Sequence, residues 1–327
     1  MKPTILIAIL FCTSAAFAAK QYSYFRVGNP NDVSTATTAG FVLMGGGTDV
    51  DAAFQWMCGR SGGGDFLVIR ATGTDAYNPY IQGLCPSENS VATLIIPNAT
   101  AANDPFVAST INSAEAVFIA GGDQSDYINF WTGSAVQSGL NALIARGVPV
   151  GGTSAGMNVL SQFVYSALAS QGVTSSEALA NPFDRRITLA ENFANISILQ
   201  GVIDDPHFVT RDRMGRDLAF LCRVFDNGWS ATPRDIDIDE QTALLLDSAG
   251  NGTVVGNSTV YFLQAPGGPQ VCQPNTPLTY QNISVFRISA ANGKFNVPKW
   301  NGTGGTAYTV SANSGVLSST QPGGGIY

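Results

Sequence analysis

Ser154 stands between two glycines in Gly152-Thr153-Ser154-Ala155-Gly156, after the run Val148-Pro149-Val150 and before Met157-Asn158-Val159-Leu160. A serine flanked in this way, at a turn from strand into helix, has the pattern of a nucleophile elbow. The tight turn demands small neighbours and lifts the hydroxyl clear of the backbone. It also aims the first N–H groups of the helix at whatever the serine attacks. The same residues would serve a plain turn that lets a helix pack closely on a sheet. The weight therefore falls on what else the chain supplies.

A serine nucleophile needs a base, and the chain has a single histidine, His207. Imidazole can take the serine proton near neutral pH and return it to a leaving amine. His207 sits in Asp204-Asp205-Pro206-His207-Phe208, followed by Arg211-Asp212-Arg213-Met214-Gly215-Arg216, a dense run of charge in a chain only 12% charged. Read as mere surface, this run is a solvated helix start, an account that suits Asp212 and Asp217. The base needs an orienting carboxylate, and Ile236-Asp237-Ile238-Asp239-Glu240 ends a strand-like run. Spacing alone leaves both Asp239 and Glu240 open. The order serine, histidine, acid differs from the α/β-hydrolase, chymotrypsin-like and subtilisin-like orders.

The elements that must position these groups follow one pattern in the first half. The runs Phe41–Met44, Phe66–Ile69, Leu94–Ile96, Val117–Ala120 and Val148–Val150 are apolar; Leu94–Ile96 ends at Pro97 and the others run into glycine or small residues. Helical segments intervene, including 50–58, with Ala53, Phe54 and Met57 on one face, and 135–145. Alternating strands and helices imply a parallel sheet covered on both faces, with ligands at the carboxyl ends of the strands. Gly45-Gly46-Gly47 matches neither the dinucleotide fingerprint nor the P-loop and reads as a tight turn leaving a strand. After Ile238 the runs 243–246, 253–255 and 260–263 alternate with turn residues and read as antiparallel hairpins.

The start of the chain has a short basic region, an apolar run from Ile5 to Phe11 and Ala16-Phe17-Ala18. This reads as a secretory signal peptide over 1–18, cleaved after Ala18. The expected organisation is an α/β domain over 19–290 and a Gly/Asn/Ser-rich extension over 291–327 that ends in a loose tail. Cys58, Cys85, Cys222 and Cys272 remain after cleavage, an even count that favours two disulfides in an exported protein. Three pairings are possible, and nearest neighbours are preferred. One histidine and no metal-ligand spacing of cysteines speak against zinc. The net charge of −7 and the lack of a basic patch exclude nucleic-acid binding. No membrane anchor is expected. Six N-x-S/T sequons, at Asn98, Asn195, Asn251, Asn257, Asn282 and Asn301, would carry glycans in a eukaryotic secretory pathway.

Four motifs in order resemble cyanophycinase and its dipeptidase E relatives. They are Gly121-Gly122-Asp123-Gln124, the elbow, Asp205-x-His207-Phe208-x-x-Arg211-x-Arg213-x-x-Arg216, and Ile238-Asp239-Glu240-x-Thr242-Ala243. The resemblance implies a class I glutamine amidotransferase-like α/β three-layer sandwich with a mostly parallel central sheet, plus a β-rich C-terminal extension. By position it implies Ser154 as nucleophile, His207 as base and Glu240 as orienting acid. Gly122 and Ala155 N–H groups would form the oxyanion hole, and Gln124, Asp205, Arg211 and Arg213 would line the substrate site. It further implies serine-type exopeptidase chemistry without cofactor or metal. The substrates would be cyanophycin, from which the family releases β-Asp-Arg, or peptides with an N-terminal aspartate. Pro206 and Met157 depart from the family's usual residues. A homodimer is left open. The competing class is a secreted binding or structural protein that keeps the fold without catalysis.

Overall fold

The computed structural model describes residues 21–169, 171–290 and 293–327, so the expected signal segment lies outside the described residues. Two large sheets organise the chain. The first has ten strands, in the order Ser23–Gly28, Ser90–Ile95, Asp65–Arg70, Ala116–Ile119, Val150–Thr153, Gly40–Met44, Thr242–Asp247, Asn251–Gly256, Lys294–Asn296 and Asn301–Thr303. Its five strands from Ser90–Ile95 to Gly40–Met44 are parallel, and the flanking strands are antiparallel.

The parallel strands are apolar along their length because both faces are covered. On one face the helix Asp51–Ser61 lays Ala53, Phe54 and Met57 against Val42, Met44, Val68 and Phe118. On the other, the helices Pro105–Asn112, Gln124–Trp131 and Ala135–Ala145 bring Val107, Ile111, Trp131, Leu140 and Leu143 onto Leu43, Leu67, Val117 and Ile119. Burial of each such aliphatic or aromatic side chain contributes about 1.5–3 kcal/mol. The expected α/β class with covered faces is therefore what the structure shows.

The second sheet has six strands, in the order Val316–Ser319, Thr306–Asn313, Tyr280–Ser289, Thr259–Gln264, Arg234–Ile238 and Val202–Pro206. Only its last pair is parallel. One face turns Ile236, Ile238, Val260 and Phe262 into the first sheet's core. The other face packs on the helix Met214–Asp226, which buries Leu218, Leu221 and Cys222. The expected hairpin succession after Ile238 needs correction. Thr242–Asp247 and Asn251–Gly256 do form a hairpin in the first sheet, but Thr259–Gln264 crosses to the second and pairs with Arg234–Ile238.

The end of the chain is packed, not loose. Strands beyond residue 290 contribute to both sheets. The Tyr327 ring meets Phe208 and Tyr261 edge-on, and its hydroxyl donates to Asp212 and accepts from the Met214 N–H. Glycine and serine counts mark exposure of this segment, whereas Tyr308, Val310 and Ala312 supply the apolar anchors. The disulfides are Cys58–Cys85 and Cys222–Cys272, the nearest-neighbour pairing, with Cα atoms 6.3 and 6.2 Å apart. Among the described residues no helix is long and apolar enough to cross a membrane.

Candidate active site

The strand Val150–Thr153 ends at Ser154, and the short helix Ala155–Asn158 begins at once. Ser154 takes φ 52°, a left-handed conformation rare for residues other than glycine. The flanking glycines are a steric requirement. A Cβ on Gly152 would lie 2.3 Å from the Gly156 carbonyl oxygen, and one on Gly156 would lie 2.1 Å from that of Ile119. The Ser154 N–H donates to the Met44 carbonyl, so the next strand holds the turn. The sequence pattern thus reports a real strand-to-helix elbow.

His207 follows the second sheet's strand Val202–Pro206, also with a positive φ, 52°. Its Nε2 is 2.7 Å from Ser154 Oγ, and its Nδ1 is 2.5 Å from Glu240 Oε1. Its side chain is 7% exposed. Burial, the largest influence, together with the nearby Arg211 and Arg213 charges, holds the imidazole below its ordinary pKa; the Glu240 hydrogen bond opposes them. The ring is therefore neutral at neutral pH, the form that can accept a proton.

The choice between Asp239 and Glu240 is made by where the strand stops. Arg234–Ile238 ends before either residue, so strand alternation does not extend to them. Glu240 reaches the imidazole. Asp239 accepts from the Thr210 N–H, the Thr210 hydroxyl and the Ser258 hydroxyl at 2.7–2.9 Å. These donors hold its carboxyl below the usual range against the opposing effect of burial. Asp239 therefore ties the loop after His207 to the turn that carries Glu240.

Gly45-Gly46-Gly47 is more than a turn leaving a strand. The Gly45 carbonyl accepts the His207 N–H, and the Gly46 carbonyl accepts that of Gln241. Gly46 has φ 89°, and a Cβ there would lie 2.4 Å from His207 Cε1. The loop is thus a bare floor under the imidazole. Only the run of three glycines signalled it in the sequence, and that signal fits many turns.

The expected substrate-lining residues separate into two groups. Arg211 is exposed, with Nε 3.7 Å from Glu240 Oε1, and is free to face a ligand. Gln124 opens the helix Gln124–Trp131, just after the Gly121-Gly122 turn. Asp205 and Arg213 have other work. Asp205 is fully buried and accepts from Arg213 Nη1 at 2.9 Å and from Arg216 Nε at 2.6 Å, with a further bond from Arg216 Nη2. Arg213 also donates to the Pro206 carbonyl at 2.6 Å. Asp205 has no surface to offer a substrate. It clamps the two arginines beside the His207 segment, because carboxylate and guanidinium forks satisfy each other in a buried site. The segment 207–213 is irregular and the helix starts only at Met214, so Arg211 and Arg213 diverge. Asp217 is fully buried as well, not a solvated helix-start charge.

Gly122 follows the strand Ala116–Ile119, which neighbours the elbow strand in parallel register. Ala155 supplies the first amide of the elbow helix. The two turns thus stand side by side at the carboxyl ends of adjacent strands.

The sequence profile of Peptidase family S51 matches residues 76–219, which include the Gly122 turn, the elbow and the His207 segment. The cyanophycinases of Trichormus variabilis and of a Nostoc species are each 24% identical over 188 residues, 56% of this chain and 57% of theirs. The chain thus matches little more than half the length of these curated relatives. The crystal structure of a peptidase from an acI-B1 Actinobacterium covers 73% of this chain with 98% of its own, at 18% identity and a TM-score of 0.50, a likeness of fold. Over residues 76–219 the chain thus resembles peptidase family S51, and its fold is like that of a solved peptidase.

Proposed function

We propose that the protein is an exported serine-type exopeptidase that cleaves aspartyl or β-aspartyl peptides, including cyanophycin-like polymer, through an acyl-enzyme. The observation that carries this reading is the chain of contacts Ser154 Oγ, His207 Nε2, His207 Nδ1 and Glu240 Oε1, at 2.7 and 2.5 Å. As Ser154 attacks the scissile carbonyl, His207 takes its proton. Glu240 steadies the imidazolium that forms, and the imidazolium then protonates the leaving amine. The Gly122 and Ala155 N–H groups stabilise the tetrahedral oxyanion. Water repeats the sequence on the acyl-enzyme and restores the serine. No cofactor is needed.

Arg211 is the residue proposed to receive a substrate carboxylate, since Arg213 is already paired with Asp205. A guanidinium is suited to that role by its planar fork of donors. Export is inferred from the signal-like start of the sequence, and the two disulfides favour an oxidising compartment. Five of the six sequons, at Asn195, Asn251, Asn257, Asn282 and Asn301, have exposed asparagines, as glycan attachment requires.

A fluorophosphonate probe followed by peptide mapping tests the nucleophile, with label expected on Ser154 alone. A panel of Asp-Xaa and β-Asp-Xaa dipeptides with neutral isosteres, alongside cyanophycin, tests the substrate. Label absent from Ser154, or no hydrolysis across the panel, defeats the reading.

A further inference from the structure

The layer between the second sheet and the helix Met214–Asp226 holds four carboxylates, those of Asp205, Asp217, Asp235 and Asp237, all fully buried. Asp205 and Asp237 are register partners on adjacent parallel strands, and Asp235 precedes Asp237 by two residues on the same face. Asp205 is satisfied by Arg213 and Arg216. The other three are not. Among the described residues, no donor makes a well-formed hydrogen bond to either oxygen of Asp217, Asp235 or Asp237. Asp217 comes from the helix and aims its unpartnered carboxylate at the strand pair, and one oxygen from each residue lies within 4.8 Å of the others.

Burying unpaired carboxylates is unfavourable by several kcal/mol each, so something must neutralise them. Four carboxylates against the two guanidiniums leave two negative charges, the charge of one divalent cation. An oxygen spread of up to 4.8 Å fits across a single ion whose ligands lie at about 2.3–2.6 Å. Three carboxylates can supply up to six oxygens, and an all-oxygen set selects a hard cation over zinc or copper.

We infer that Asp217, Asp235 and Asp237 bind one hard divalent cation, calcium by size, which fastens the helix Met214–Asp226 to the strand Arg234–Ile238. The ion is structural. It lies in the layer beneath His207, and its ligands come from the two elements adjoining the His207 and Glu240 loops. The ion touches neither Ser154 nor the imidazole.

The test uses the whole protein at neutral pH. Elemental analysis after exhaustive dialysis is expected to find about one calcium per chain. Thermal unfolding in millimolar CaCl2 should exceed that after prolonged EDTA treatment by about 5 °C or more. MgCl2 alone giving the same occupancy and shift supports the site and changes the ion. Asp235→Asn and Asp237→Asn should lose both the bound ion and the calcium response. If these variants fail to fold, the wild-type metal content and EDTA response decide the matter. The inference is overturned if dialysed protein holds neither ion and its melting ignores both EDTA and added salts. Hydrolytic activity is measured separately, so failure of the metal site leaves the peptidase reading intact.

Discussion

Arg211 Nε lies 3.7 Å from Glu240 Oε1, the oxygen that also meets His207 Nδ1 at 2.5 Å. One carboxylate oxygen therefore serves both the base and an exposed cation. In the proposed mechanism this arrangement would link substrate recognition to the charge state of the imidazole. Arg211 is one of the groups that hold the His207 pKa below its ordinary 6.5, after burial.

With His207 as the proposed base, turnover needs the neutral imidazole, so kcat/KM should fall as pH drops through the pKa of that group. With this pKa lowered, the acidic limb should lie below pH 6.5. Arg211→Ala removes a positive neighbour, favours the protonated ring, and should move the limb to higher pH. A pH series on a neutral substrate checks this. A limb that stays put or moves to lower pH rules out the electrostatic link.

Arg211→Ala should also lower kcat/KM more for aspartyl substrates than for neutral isosteres. Arg213→Ala should instead lower thermal stability, because it strips a partner from the buried Asp205 carboxylate. Comparing both variants for kinetics and melting separates the two roles. Equal losses of Arg211→Ala on both substrate types would remove the recognition role.

Ser154→Ala should lower kcat by about four orders of magnitude or more while leaving the circular dichroism unchanged. Glu240→Gln should be less damaging, since it keeps the shape of the acid. Asp239→Asn should be milder still in kcat and should act on stability, because Asp239 accepts three hydrogen bonds from Thr210 and Ser258. Steady-state kinetics rank the three. Asp239→Asn exceeding Glu240→Gln would transfer the orienting role.

Gly46→Ala should nearly abolish turnover. The added methyl would lie 2.4 Å from His207 Cε1 and 2.6 Å from Nε2, at a backbone φ of 89°. The ring must give way, and its hydrogen bond to Ser154 with it. A loss of about a hundredfold or more in kcat is expected, together with slower fluorophosphonate labelling. Wild-type labelling would show that the floor under the imidazole yields easily.

Reducing both disulfides should lower stability by about 2–4 kcal/mol per bridge. Intact-mass analysis of denatured protein with an alkylating reagent should show no label on these cysteines before reduction and four labels after it. Urea melts of the two forms give the size of the effect.

Much of the first sheet is legible from sequence because buried parallel strands are apolar throughout and their helices carry one apolar face. Phe41 to Met44 and the helix from Ala135 to Ala145 fall where the pattern puts them. The second sheet is legible only in pieces, such as the runs at 236–238 and 260–263. Its last parallel pair, Val202–Pro206 and Arg234–Ile238, is rich in aspartate, which strand propensity disfavours. The burial of Asp205, Asp217, Asp235 and Asp237 depends on three segments far apart in sequence meeting in one layer. A search for metal ligands guided by cysteine and histidine passes over such a set. At the active site, Ser154 is announced by its local glycines. Glu240 over Asp239 is decided by the end of a strand, which spacing does not mark.

The Ser154 elbow belongs to the first sheet, whereas His207 and Glu240 sit in loops at the ends of second-sheet strands. The segment Asp239–Gln241 is where the chain passes from one sheet to the other. Alignment of the proposed triad is therefore a gauge of how accurately two separately hydrogen-bonded layers are seated. A slip of about 1 Å between them would cost roughly a hundredfold in rate without breaking a single strand pair. In rising urea, turnover should consequently vanish before the backbone signal changes, and reseating of the layers should set the pace at which activity returns.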